Sequence, residues 1–147
     1  MTIMKKMMLI LACVFSLATK AAADNYQPIT REQLPQKAQT FLSSYFPNAK
    51  ISLVRRDIDL TELSYDVIFT DGSKVEFDIR GHWKEVDCIN QALPAGIVPA
   101  DIDKAAKAQY PEAVITKIEV DREGYEVKLN NRRELSFNRK KQLVDID

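Results

Sequence analysis

The sequence is poor in the residues from which reactive sites are usually built. Its 147 residues include one histidine, one tryptophan, two cysteines and four glycines. His82 and Cys88 are close in sequence, but six residues of one extended strand would hold them about 20 Å apart. A cysteine nucleophile needs an imidazole within hydrogen-bond reach, and this set also falls short of an ordinary zinc site. We therefore predict no catalytic residue, no cofactor and no metal, and hence no enzyme.

Two other kinds of site are also missing. No serine stands in a G-x-S-x-G setting, the signature of a hydrolase nucleophile. The aspartate pairs lack the central glycine and terminal glutamate of a calcium loop; these pairs are Asp57 with Asp59, Asp101 with Asp103, and Asp145 with Asp147.

The first residues have the pattern of an export signal. Lys5 and Lys6 precede an apolar run over 7–17, and Ala21 and Ala23 supply the small residues that signal peptidase requires. The run is shorter than the roughly 20 residues of a membrane-spanning helix. We predict a signal peptide over residues 1–23, cleaved after Ala23, no stable membrane span in the mature form, and a periplasmic or secreted protein.

A lipoprotein signal ending at Cys13 is the weaker alternative, because the apolar run continues beyond that cysteine to Leu17. Once the signal is removed, Cys88 has no cysteine in its own chain with which to form a disulfide. Two fates stay open for Cys88: burial as a small apolar side chain, or a disulfide between chains.

Charge excludes nucleic acid as a partner. The chain has 21 basic and 21 acidic residues, and three lysines leave with the signal, so the mature form has 21 − 3 = 18 basic residues and a net charge of −3. Binding to phosphate backbones needs a dense positive excess.

The mature chain contains an internal repeat. Residues 35–54 align with 99–118 at an offset of 64, so that Phe46-Pro47 matches Tyr110-Pro111. Residues 65–87 align with 125–147 at an offset of 60. The change of offset places an insertion of four residues near 57–62, where a loop between strands absorbs it at little cost.

Each repeat has the pattern of one helix followed by about four short strands. Ala38, Phe41, Leu42 and Tyr45 form an amphipathic helical stripe, and alternating apolar residues then indicate strands joined by tight turns. We predict an α+β fold of two tandem repeats. In each, one helix packs on one face of a roughly four-stranded antiparallel meander, and the other face is left free. The repeats span 24–90 and 99–147, linked by 91–98, within one domain.

Trp83 is the residue of greatest interest for binding. Strict alternation would place Trp83 and Val86 on opposite faces of their strand, so either a bulge redirects the chain or Trp83 lies on the open face. An exposed tryptophan there would be a natural contact hot spot. The predicted partner-binding residues are this tryptophan, its neighbours and one basic turn: Trp83, His82, Lys84, Glu85, Arg132 and Arg133.

Three segments together resemble a known family. They are the helix end Phe46-Pro47-Asn48-Ala49-Lys50-Ile51, the hairpin Tyr65 to Gly72, and the G-x-W-x-x-V-D strand within Phe77 to Asp87. This pattern is similar to that of the β-lactamase-inhibitor-like, PepSY-like exported bacterial proteins. The second repeat departs from it, with Lys141, Leu143 and Ile146 replacing the glycine, tryptophan and valine. The resemblance implies that the two meanders form one curved sheet with both helices on one face, and that the free face can grip a partner.

We therefore predict a non-enzymatic exported binding or inhibitor-like protein, with an open sheet face that contacts a protein or peptide in the periplasm or outside the cell. The alternative is a small-ligand-binding or envelope-structural protein without a protein partner. An aromatic-lined cleft would favour that alternative, whereas a broad polar-rimmed face favours the protein binder.

Overall fold

The computed structural model of the protein describes residues 25–147. The predicted signal peptide, its cleavage site and Cys13 lie outside these residues. The described part has two α-helices, α1 (Gln36–Tyr45) and α2 (Ala100–Gln109), and a short 3-10 turn at Arg31–Gln33. Its nine strands are β1 (Tyr26–Pro28), β2 (Ile51–Ile58), β3 (Leu63–Phe69), β4 (Lys74–Asp78), β5 (Trp83–Asp87), β6 (Ile115–Val120), β7 (Gly124–Leu129), β8 (Glu134–Asn138) and β9 (Leu143–Ile146).

The nine strands form one sheet in which each strand pairs antiparallel with the next in sequence. The predicted α+β class and antiparallel sheet are confirmed. Strand β1 is an addition that the sequence analysis missed. Its three residues all lie at the surface and include a proline, so they lack the apolar alternation by which strands are found.

Proline sets both ends of each helix. Pro35 and Pro99 are the N-cap residues, with φ of −53° and −55°. They therefore stand one position before the first helical turn. Each helix ends two residues before Pro47 or Pro111, since a residue preceding proline is disfavoured in the helical region.

The apolar core lies between the helices and one face of the sheet. Phe77, Ile118 and Leu135 are fully buried there, and Ala38 of α1 and Ile102 of α2 face them from the helix layer. The single core cluster continues through both repeats. The Cys88 thiol is also buried in this cluster. Burial raises its pKa, so it stays in the unreactive thiol form.

The two repeats share their irregularities as well as their regular elements. The strand after each helix carries a β-bulge near its start, at Ser52 in β2 and at Thr116 in β6. The last strand of each repeat is bulged too, at Lys84 in β5 and Val144 in β9. These positions differ by 64 and 60 residues, the same offsets as in the sequence.

Thr30 and Gln33, which have the spacing of a capping box, form one at the start of the described chain. The Thr30 backbone N–H donates to Gln33 Oε1 at 2.8 Å, and one 3-10 turn forms there. Between residues 25 and 147, neither helix has the length and apolar character needed to cross a lipid bilayer.

Candidate functional site

The sheet face opposite the helices, which we name the open face, carries two rows of charged side chains. The carboxylate row runs across β3 to β7 as direct cross-strand neighbours: Asp66, Glu76, Glu85, Glu119 and Glu126. The lysine row runs beside it across β4 to β8: Lys74, Asp87, Lys117, Lys128 and Glu134. The rows are two residues apart along each strand, about 6.6 Å.

In the first repeat these charges are paired with one another. Arg55 Nε donates to Asp66 Oδ2 at 3.0 Å, although Asp66 is only 4% exposed. Glu85 sits between two lysines, 3.2 Å from Lys74 Nζ and 3.2 Å from Lys117 Nζ. Such half-buried pairs fix the side chains in place because either charge left alone would be poorly solvated.

The pKa values reflect this pairing. Burial alone would raise the pKa of Glu85, but the charges and hydrogen bonds of Lys74 and Lys117 outweigh it, and the pKa lies below its ordinary value. Burial and the charge of Asp66 raise the pKa of Glu76, although Lys84 and Lys74 oppose the shift. The carboxylate row thus holds one strongly paired member beside one that is harder to ionise.

In the second repeat the same rows lie exposed and largely unpaired. Glu119, Glu126 and Lys128 are exposed. Burial, followed by the negative charges of Glu134 and Glu119, raises the pKa of Glu126. Apart from Lys117, which reaches back to Glu85, no residue of β6 to β9 forms an ion pair within the described chain.

A cleft of about 540 Å³ opens on this exposed half. Its sides are the segment after β5 and the turn between β7 and β8, and the lysine row crosses it. The lining residues that the argument uses are Asp87, Asn90, Lys117, Lys128, Asn130 and Arg132. Charged and amide groups dominate this lining, so the cleft suits a polar or charged group better than an apolar one.

The structure divides the predicted binding residues between the two faces. The bulge at Lys84 places Trp83 directly opposite Phe77, on the helix side, where it packs partly buried against the core. Of the two alternatives for Trp83, the bulge is therefore the one that occurs, and Trp83 packs on the helix side of the sheet. His82 is exposed and also lies toward the helices, with Nε2 3.2 Å from Lys37 Nζ of α1.

The other predicted residues lie on or beside the open face. Lys84 Nζ contacts Glu62 Oε1 at 2.7 Å and lies 3.8 Å from Glu76 Oε1, and Glu85 belongs to the carboxylate row. Arg132 lines the cleft, whereas Arg133 is exposed in the same turn outside it. Sequence reasoning missed the two rows, although the polar positions that alternate with buried ones in each strand were the available signal.

The open face offers no ready metal site. Within residues 25–147, no group of three or more histidine, cysteine, aspartate or glutamate residues is arranged to hold a metal ion. The neighbouring carboxylates of the row point side by side from successive strands, and three of them already face lysine or arginine groups.

The strand topology and this open face agree with a family assignment. The family model described as "putative beta-lactamase-inhibitor-like, PepSY-like" matches residues 20–64 and again 63–145. The chain belongs to this family. The predicted resemblance is therefore confirmed. No curated protein sequence matches the chain.

Solved structures of Bacteroides proteins have the same fold. A protein of Bacteroides thetaiotaomicron, described as a putative calcium-regulated periplasmic protein, is 48% identical with a TM-score of 0.82, over 85% of this chain and 98% of its own. A putative periplasmic protein of Bacteroides vulgatus is 46% identical over the same shares, with a TM-score of 0.82. A second protein from that species, of unknown function, is 32% identical with a TM-score of 0.77, over 83% of this chain and 97% of its own.

Proposed function

We propose that this protein is an exported, non-enzymatic binding protein that holds a protein or peptide partner on the open face of its sheet. Export follows from the signal-like first 23 residues and agrees with the periplasmic description of its relatives. The observation that carries the proposal is the exposed, unpaired half of the two charged rows on β6 to β8.

The chemistry of the open face supports a macromolecular partner. Exposed charges such as Glu119, Glu126 and Lys128 attract a complementary surface over distance and select it by sign. The first repeat holds the neighbouring part of the face rigid through its ion pairs, so little order would be lost when a partner docks. Contacts are expected at Lys84 and Glu85 near the centre and at Arg132 and Arg133 at the rim.

The alternative of a small-ligand protein has weaker support. It would be favoured by an aromatic-lined cleft between the repeats, whereas the cleft on the open face has charged and amide walls. The aromatic side chains of Phe41, Phe77 and Trp83 all pack on the helix side.

Site-specific crosslinking tests the proposal. A photo-crosslinking residue is placed at Glu126 on the open face or, as the matched control, at Lys104 on the exposed side of α2. Each purified mature protein is illuminated in a periplasmic extract of the native bacterium. We expect one defined crosslinked species from position 126 and none from position 104.

Two results would contradict the proposal. Crosslinking from position 104 that equals that from position 126 would show that the helix side, or no particular side, meets other proteins. If a stably folded protein gave no crosslinked species from position 126, the proposal that a protein partner binds the open face would be refuted. Calcium and a chelator are compared in parallel, because one relative is described as calcium-regulated.

A further inference from the structure

We infer that the cleft on the open face is an acid-recognition site, which receives the carboxylate side chain of an aspartate or glutamate on the partner. The inference rests on the proposed function, since it names the chemistry that the open face would recognise. Its donors are the Lys128 ammonium group and the Arg132 guanidinium group, with the Asn90 and Asn130 side-chain amides beside them.

The cleft contains cations without partners. Lys128 Nζ and the Arg132 guanidinium form no ion pair with any residue between 25 and 147. Lys128 stands directly across the strands from Glu134, but the two side chains do not meet. An unpaired lysine and arginine that line one concave site are the usual recognition elements for a carboxylate, which arginine can bind in two-pronged geometry.

The acids of the cleft have contacts of their own. Asp87 Oδ1 accepts the backbone N–H of Ile89 at 2.8 Å, and the Glu134 carboxyl lies beside that of Glu126. On the amide side, Asn130 Oδ1 accepts the Val114 N–H at 3.1 Å. Its oxygen is therefore occupied, and its NH₂ group is left as a donor. The lining of the cleft thus has three basic residues against two acidic ones, so positive charge is in excess, and the Asn130 NH₂ group adds a donor.

The two sides of the cleft, the segment after β5 and the turn between β7 and β8, each contain a residue with an unfavourable backbone conformation. Ile89 has a φ of 61° and Arg132 a φ of 70°, two of the three positive values at non-glycine residues in the described chain. This region is costly for a β-branched residue and for arginine. In the first repeat the position equivalent to Arg132 is Gly72, with a φ of 90°. The second repeat therefore keeps an arginine where glycine would be more stable.

Nuclear magnetic resonance titration of the purified mature protein tests the site. The probes are blocked pentapeptides with a central glutamate, glutamine or lysine between serine and glycine, and acetate as a free carboxylate. We expect the glutamate peptide to shift the backbone amides of Ile89, Asn90, Lys128 and Arg132 saturably, and the isosteric glutamine peptide to shift them at least tenfold less at equal concentration.

Three variants separate the site from the fold. Arg132→Gly removes the guanidinium while favouring the observed φ, so its melting temperature is expected to be unchanged or higher while affinity for the glutamate peptide falls at least fivefold. Lys128→Glu is expected to abolish saturation. Lys104→Glu makes the same charge change on α2, outside the site, and is expected to bind as the unmodified protein does.

The inference is overturned if the glutamine or lysine peptide binds as tightly as the glutamate peptide, or if Arg132→Gly leaves binding unchanged. Acetate that binds as tightly as the peptide would instead make the cleft a site for small free acids. These outcomes differ from failure of the proposed function, because crosslinking from position 126 reports a partner on the open face whatever group enters the cleft.

Discussion

The two repeats of this protein share one topology but differ in the side chains that stabilise it. In the first repeat Phe41 of α1 packs edge-on against Phe77, with ring centroids 5.5 Å apart, and further aromatic contacts surround it. The matching position in α2 is Ala105. The first helix therefore covers its strands with aromatic rings, whereas the second covers them with Ile102 and two alanines, Ala105 and Ala106.

The open face shows the same contrast. Most charged side chains of the first repeat form ion pairs on this face. Those of the second repeat are mostly exposed, and several of them line the cleft. The turns differ as well. Gly72 and Gly81 of the first repeat correspond to Arg132 and Lys141 of the second, and all four residues have positive φ. This conformation costs more free energy for arginine and lysine than for glycine. The second repeat therefore holds strained backbone and unpaired charges where the first holds glycines and ion pairs.

The largest effect is expected from making the first helix resemble the second. Phe41→Ala removes a ring that contacts three other aromatic rings, so we expect about 3 kcal/mol lower free energy of unfolding. Urea denaturation measures it, with Ser44→Ala on the exposed side of α1 as the control. A loss below about 1 kcal/mol would mean that the aromatic cluster does not distinguish the repeats.

Exchange of the turn residues should act with opposite signs. At Gly81, φ is +88° and a Cβ atom would lie 2.9 Å from Pro35 Cβ and 3.0 Å from the Ala38 backbone nitrogen. Gly81→Lys is therefore expected to cost about 2 kcal/mol. Lys141→Gly, its counterpart, should stabilise by up to about 1 kcal/mol, since it relieves the unfavourable φ of 64°. Thermal denaturation compares the two variants. If both changed the melting temperature in the same direction, the proposed difference between the turns of the two repeats would be refuted.

Removal of charge from the carboxylate row should matter only where the row is paired. Glu85→Gln leaves Lys74 and Lys117 without their common acceptor, and we expect a loss of about 1 kcal/mol. Glu119→Gln, the direct cross-strand neighbour, changes an exposed carboxylate and should alter stability by less than about 0.5 kcal/mol. Chemical denaturation at pH 7 and low salt is the measurement, and equal losses would contradict the contrast.

The smallest effect concerns pH and distinguishes Glu85 from Glu126. Because the pKa of Glu85 is lowered by folding, its contribution to stability is present above the unfolded pKa and is lost as the pH falls through the folded one. Folding raises the pKa of Glu126, so its destabilising contribution grows as the pH rises above the unfolded pKa and is complete above the folded pKa.

Melting temperatures from pH 3 to 7 separate these contributions. Glu85→Gln is expected to flatten the gain in stability with rising pH, while Glu126→Gln should steepen it slightly. Parallel profiles for both variants would show that the two carboxyls share one environment.

The sequence by itself determined the helices, most strands and the internal repeat. These follow from local rules, since apolar spacing selects helix or strand, proline bounds the helices, and Thr30 with Gln33 forms the capping box. Strand β1 was not predicted because its three exposed residues show no apolar alternation. It is a strand only because it pairs with β2.

Tertiary structure alone decided which face each predicted binding residue occupies. One bulge residue, Lys84, reverses the alternation of β5 and takes Trp83 to the core, and no local signal fixes where a strand will bulge. The charged rows and the cleft arise in the same way. Asp87, Lys117, Lys128 and Glu134 lie on four different strands, and only the register of those strands brings them side by side.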